Sequence, residues 1–185
     1  MSDVKMLTKQ ELEAGLPLVR QAPKDQGVLH LIVRRPQEDA REVLTVGNLD
    51  AIEGLVGDTW CKRKSSRTED GRPHPDMQLN IMNSRAIELI AQSQDRWQLA
   101  GDQLFLDLDL SKENLPAGTR LSLGTAIIEV TAQPHTGCKK FVERFGVDAM
   151  KFVNSEVGRE LQLRGINAKV IQSGEIRVGD IATKL

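Results

Sequence analysis

The sequence predicts a mainly β fold with peripheral helices, an α+β chain whose strands close fully or partly into a small barrel. Three observations lead there. Short runs of β-forming residues recur along the chain, and many of its 15 glycines sit beside them. Two of these runs, Gly118–Gly124 and Gly174–Gly179, are bracketed by glycines of the kind that turn barrel corners. The elements do not alternate strand and helix, which argues against a doubly wound parallel sheet.

Taken in order, residues 1–27 are polar and interrupted by Gly15, Pro17 and Pro23, so they read as an N-terminal arm or a short helix around Lys9–Ala14. Val28–Val33 is rich in β-formers and ends before Pro36, as a strand should. Glu42–Val46 and Leu55–Val56 are further strand candidates, the second stopping at Gly57-Asp58. Met77–Met82 resumes strand. Ser84 then opens a helix to about Gln94, with Ile87, Ile90 and Ala91 forming one apolar stripe. Leu104, Leu106, Leu108 and Leu110 alternate with Phe105, Asp107 and Asp109, the pattern of a strand with one buried face. Arg120–Leu123 and Ala126–Thr131 follow around Gly124-Thr125. Lys140–Leu161 reads as helical, with Phe141, Phe145 and Phe152 in the core and Gly146 dividing it. Ala168–Ile171 and Ile176–Val178 flank Ser173-Gly174, a hairpin signal. Residues 28–185 are therefore expected to form one domain.

With 185 residues, 39% of them hydrophobic and 28% charged, the chain can bury one sizeable core. No apolar run approaches the roughly 20 residues a membrane span needs, and the charged N-terminus lacks the apolar centre of an export signal. A cytoplasmic location is expected. Lys and Arg number 25 against 26 Asp and Glu, so the whole molecule offers no strong pull on nucleic acid or anionic lipid. Aromatic residues are only 3%, which weakens a base-stacking platform as well. Two cysteines are too few for a disulfide framework, and both are expected as thiols.

The segment from Gln133 to Phe141 concentrates the chemistry. A strand ends at Thr131, Pro134 and Gly137 shape a turn, and a helix starts after Cys138. A thiol at that position meets unpaired N–H groups and the positive end of the helix dipole. Lys139, Lys140 and His135 add positive charge, and all of these favour thiolate, the nucleophilic and metal-binding form. The plainer alternative is a small buried hydrophobe, the common fate of a free cysteine. Cys61, beside Trp60, reads as a structural thiol. The stretch Lys62–Pro75 carries Lys62, Arg63, Lys64, Arg67 and Arg72 with no apolar periodicity. It is either a solvated surface loop or a basic flap over an anionic ligand. No Walker loop, GxGxxG or GxSxG occurs, and a zinc site from His74, His135, Cys61 and Cys138 lacks any recognised ligand spacing. Asp107 and Asp109 share a strand face as a weak acid/base pair.

Gly57-Asp58, Gln78-Leu79, Glu113-Asn114-Leu115, Gly118–Thr131, His135-x-x-Cys138-x-x-Phe141, Gly158-Arg159, Arg164-Gly165 and Gly174–Asp180 occur in an order that resembles the MOSC domain, the C-terminal domain of molybdenum-cofactor sulfurases. The resemblance spans roughly Val28 to Leu185. It implies a MOSC-type β-barrel that binds a molybdenum cofactor (molybdopterin). The matching cysteine, Cys138, either ligates molybdenum, for reduction of small N-oxygenated or N-hydroxylated compounds, or carries sulfur as a persulfide for metal–sulfur cofactor assembly. His135, Lys139 and Asn114 become candidates to line the site, with Arg63 and Lys64 joining if the basic loop folds inward. Asp58 and Glu113 would organise neighbouring turns. Trp60 stands where many members have histidine. The aminotransferase-like part of a full sulfurase and a ferredoxin-type cysteine cluster are not in the sequence. Electrons or sulfur would therefore come from a separate donor protein. Pairing of two chains through an exposed strand edge is left open.

Overall fold

The computed structural model describes residues 4–185. In chain order the elements are α1 (Lys9–Val19), β1 (Gly27–Arg34), β2 (Glu42–Leu44), β3 (Val46–Asp50), β4 (Gly54–Leu55), β5 (Leu79–Asn83), α2 (Ser84–Ala91), β6 (Leu104–Asp107), β7 (Arg120–Leu123), β8 (Ala126–Val130), α3 (Lys139–Phe145), α4 (Val147–Asn154), α5 (Glu156–Glu160), β9 (Ile166–Gln172), β10 (Gly174–Arg177) and β11 (Ile181–Lys184).

Seven strands close on themselves in the order β1, β11, β7, β8, β9, β5, β6, with β2 appended to the outer edge of β1. All pairings in this ring are antiparallel except β5 with β6, whose ends are joined through α2. A second, three-stranded sheet runs β10-β3-β4. Closure removes the unpaired edges that an open sheet would expose.

The alternating residues of each strand serve two separate cores. Leu29, Ile81, Leu104, Leu106, Leu121, Ile128 and Ile166 fill the barrel. Leu31, Val33, Met82 and Phe105 point outward from the same strands and meet a layer of helices carrying Leu12, Ile87, Trp97, Phe141, Phe145 and Phe152. The one-sided burial expected for Leu104–Leu110 is thus corrected at Phe105, which is fully buried on the second face and packs its ring against Trp97. Asp107 on that face is tied to Arg85 at 2.7 Å, whereas Asp109 accepts the Ser111 N–H at 2.9 Å, so each carboxylate has a separate structural partner.

In the N-terminal segment the short helix is found and runs on to Val19, packed against the body of the fold. Thr8 caps α1 in a capping box with Glu11, and Leu12 is completely buried against α2 and α4. The expected hairpin at Ser173-Gly174 is a sheet crossing. β9 pairs with β5 and β8, whereas β10 pairs with β3, because the Gly174 backbone passes so close to Thr125 and Ala126 that any Cβ would strike them. The turn at Gly124, with φ of 56°, joins the two expected strands β7 and β8 as a hairpin. Helix Lys140–Leu161 breaks into α3, α4 and α5, the first break at Gly146 with φ of 89°.

Candidate functional site

Where β1 and β5, the loop after β4, and the segment from β8 into α3 converge, they surround a cavity of about 690 Å³, a size typical of small-molecule sites. Its wall carries Arg35, Arg41, Lys62, Arg63, Lys64, Lys140, Arg144 and Arg164 against only two acids, Glu38 and Asp39. A chain of net charge −1 has therefore gathered eight of its 25 basic side chains around one hollow.

The floor is built from two buried ion pairs. Arg35, at the end of β1, gives its backbone N–H and Nε to one oxygen of Asp58 at 2.9 and 2.8 Å, and a terminal nitrogen to the other at 2.8 Å. Its remaining nitrogen reaches Asn80 Oδ1 and the Gly101 carbonyl. Burial pushes the Asp58 carboxyl up, but the Arg35 guanidinium outweighs it and the carboxyl lies below its ordinary range. Asp58 also accepts the Trp60 N–H, so it organises the Gly57-Asp58 turn as the resemblance implied.

The second pair is a triad. Asp102, fully buried, accepts Arg164 at 2.6 Å on one oxygen and faces His135 Nε2 at 2.8 Å with the other. Burial opposes ionisation here too, yet Arg164 and then His135 hold Asp102 at about 2. His135 is lowered as well: desolvation first, then the Arg164 charge, depress its pKa despite Asp102. The neutral imidazole then donates Nε2–H to Asp102, while Nδ1 makes no hydrogen bond among the described residues. Gly165, with φ of 113°, lets the chain pass here, since a Cβ would strike the Ile81 carbonyl and crowd His135. Arg164 lies 4.9 Å from the Phe141 ring centroid and gives its other terminal nitrogen to the Ala100 carbonyl. Its Nε is buried without any partner. An orphaned guanidinium nitrogen costs stability unless a ligand satisfies it.

Above this floor the cations crowd one another. Desolvation, followed by the charges of Arg144, Arg35 and Arg63, lowers the Arg41 pKa. Arg63 is lowered in the same way, by desolvation and then by Arg35. Like charges held this close form a site for an anion.

Cys138 is the N-cap of α3, exposed, and its thiol makes no capping hydrogen bond. The residue stands on the same cavity wall as His135, Arg63 and Lys64, so these four sequence candidates meet. Lys139 is exposed and off that wall. Asn114 is placed elsewhere and is corrected: it spends its amide on the Lys24 and Asp109 carbonyls and accepts Lys184, tying the turn after Leu110 to the N- and C-terminal segments. Glu113 is exposed. Cys61 is a half-buried free thiol outside the cavity, near the Asp58 carbonyl. No cluster of three metal-ligating His, Cys, Asp or Glu side chains occurs among the described residues, and no helix among them is long and apolar enough to cross a membrane. The residues missed by sequence reasoning are Arg35, Asn80, Asp102 and Arg144. Arg164 was seen only as part of a pattern, with no role.

The chain is similar in fold to several solved structures. YuaD from Bacillus subtilis aligns with a TM-score of 0.64 at 14% identity, covering 85% of this chain and 96% of that one. YiiM from Escherichia coli aligns with a TM-score of 0.54 at 18% identity, covering 85% and 69%. A hypothetical protein of solved structure gives 0.55 at 19% identity, covering 90% and 70%. No curated protein matches the sequence. The MOSC domain profile matches residues 73–183, which hold β5 through β9, the His135–Cys138 turn and Arg164, and the chain belongs to the MOSC domain family.

Proposed function

We propose that the cavity holds a molybdenum cofactor, with Cys138 as the protein's sulfur ligand to the metal, and that the chain reduces small N-oxygenated or N-hydroxylated compounds. The observation that carries this reading is the coincidence of one accessible thiol with eight basic side chains and an orphaned Arg164 Nε around a single hollow. The donor set fits the group. A soft thiolate suits a metal held mainly by sulfur, and guanidinium groups suit a phosphate ester.

When bound, the cofactor supplies two-electron redox chemistry at molybdenum. The chain's own residues do the rest. Arg41 and Arg144 bind and orient the anionic end from the wall, above a floor that the Arg35–Asp58 and Arg164–Asp102 pairs hold in place. Asp102 fixes the ring of His135, whose Nδ1 is an acceptor free to hold a proton from a ligand in the cavity. Lys62, Arg63 and Lys64 guard the mouth. A separate protein delivers the electrons.

Metal and pterin analysis of protein purified from a molybdenum-replete host tests the reading. Stoichiometric molybdenum and pterin in the wild type and in Cys61→Ser, with the molybdenum content lowered but not abolished in Cys138→Ser, is the expected result. Metal-free wild-type protein whose Cys138 has gained the mass of one sulfur atom would overturn it in favour of a persulfide carrier.

A further inference from the structure

The cationic cavity has an annex. A second hollow of about 270 Å³ lies between the basic loop and the turn at Pro73–Met77, and it shares Arg35, Arg63, Lys64 and Asn80 with the main cavity as a common wall. It adds Arg67, His74 and Trp60 of its own. The charges on this side are not balanced by the protein. Arg63 gives its Nε to the Thr59 hydroxyl at 3.0 Å, and Arg67 touches only the Met77 sulfur at 3.8 Å with a terminal nitrogen. Lys62, Arg63, Lys64 and Arg67 make no ion pair among the described residues, while Asp70 on the same loop is taken by Arg72 at 3.5 Å. A loop that served only solubility would interleave its signs, whereas this one concentrates four unpaired cations on the side facing a hollow.

One phosphate group accepts only a few charge-assisted hydrogen bonds, and the wall of the main cavity already supplies Arg41 and Arg144 for it beside the shared Arg63 and Lys64. The cations beyond that wall need a second anion. We infer that the annex is a second anion subsite and that the cavity's ligand carries two linked phosphate groups, as in a diphosphate ester, one on each side of the Arg63–Lys64 wall. The inference rests on the cationic-cavity reading above and specifies the ligand further.

Calorimetric titration of the full chain with inorganic phosphate and with pyrophosphate tests it without any bound metal. Trp60 fluorescence gives a second readout, with Trp60→Phe removing that signal. The wild type should bind pyrophosphate at least about tenfold more tightly than phosphate, one additional charge-assisted contact being worth that much. Arg67→Ala should abolish most of this preference and leave phosphate affinity within about twofold. Arg67 is exposed, so the variant folds as the wild type does. Equal affinity for the two anions in the wild type, or a preference untouched by Arg67→Ala, overturns the second subsite while leaving the main cavity standing. Failure of both anions to bind overturns the cavity reading and this one with it.

Discussion

The floor and the rim of the cavity carry the same kind of charge in opposite ways. On the floor, Arg35 and Arg164 are about 95% buried and each is locked to a buried aspartate. On the rim, Lys62, Arg63, Lys64 and Arg67 are exposed and have no carboxylate partner among the described residues. A buried charge must be compensated within the fold, so the floor is part of what makes the chain fold, whereas rim charges are free to serve a ligand. The difference separates residues whose loss should unfold the protein from residues whose loss should only weaken binding.

The largest expected effect is on the floor. Asp102→Ala leaves the Arg164 guanidinium buried and uncompensated and frees His135, so denaturant unfolding should show a loss of about 3–5 kcal/mol. Lys64→Ala on the rim should stay within about 0.5 kcal/mol of wild type. If the two variants cost the same, the distinction between floor and rim fails. Asn114→Ala sharpens it from outside the cavity. Removing an amide that satisfies two backbone carbonyls should cost about 1–3 kcal/mol in the same unfolding measurement and leave phosphate affinity unchanged.

The floor should also be visible in acid. His135 has its pKa lowered on folding, so the unfolded chain binds its proton first, and stability is whole above about 6.5 and falls as pH drops below that value. Asp102, held at about 2, adds a second loss in the same direction as pH falls below about 3.8 toward 2. Unfolding free energy measured from pH 8 to 5 should therefore decline by at most about 1.4 kcal/mol per pH unit for His135, and His135→Gln should remove that part of the slope. A stability that rises on acidification over this range would contradict the triad. The smallest effect belongs to the rim. Lys62→Ala should weaken phosphate binding roughly two- to fivefold and make it less sensitive to salt, as expected of a screened surface charge.

Much of this fold was legible in the sequence because local signals agreed with the tertiary outcome. The β7–β8 hairpin needed only Gly124 in a left-handed conformation, and the break after Phe145 only Gly146. What misled was information that lies between distant segments. Ser173-Gly174 has the composition of a hairpin turn, but the register of β10 is set by β3, more than 120 residues earlier. Phe105 looked like the solvent side of a strand because the helix layer that covers it comes from elsewhere in the chain. The site divides in the same way. The turn around Cys138 announces itself through proline, glycine and clustered cations, and His135 is its near neighbour. Asp102 follows an ordinary loop glycine and Arg35 follows an apolar strand, so neither shows any sign of burial until Arg164, 62 positions later, and Asp58 close over them.

The proposed role of Cys138 is tested most directly by molybdenum K-edge absorption on cofactor-loaded protein, comparing the wild type with Cys138→Ser. The expected result is a metal with one fewer sulfur neighbour in the variant. An unchanged sulfur count would contradict the assignment of Cys138 as the ligand.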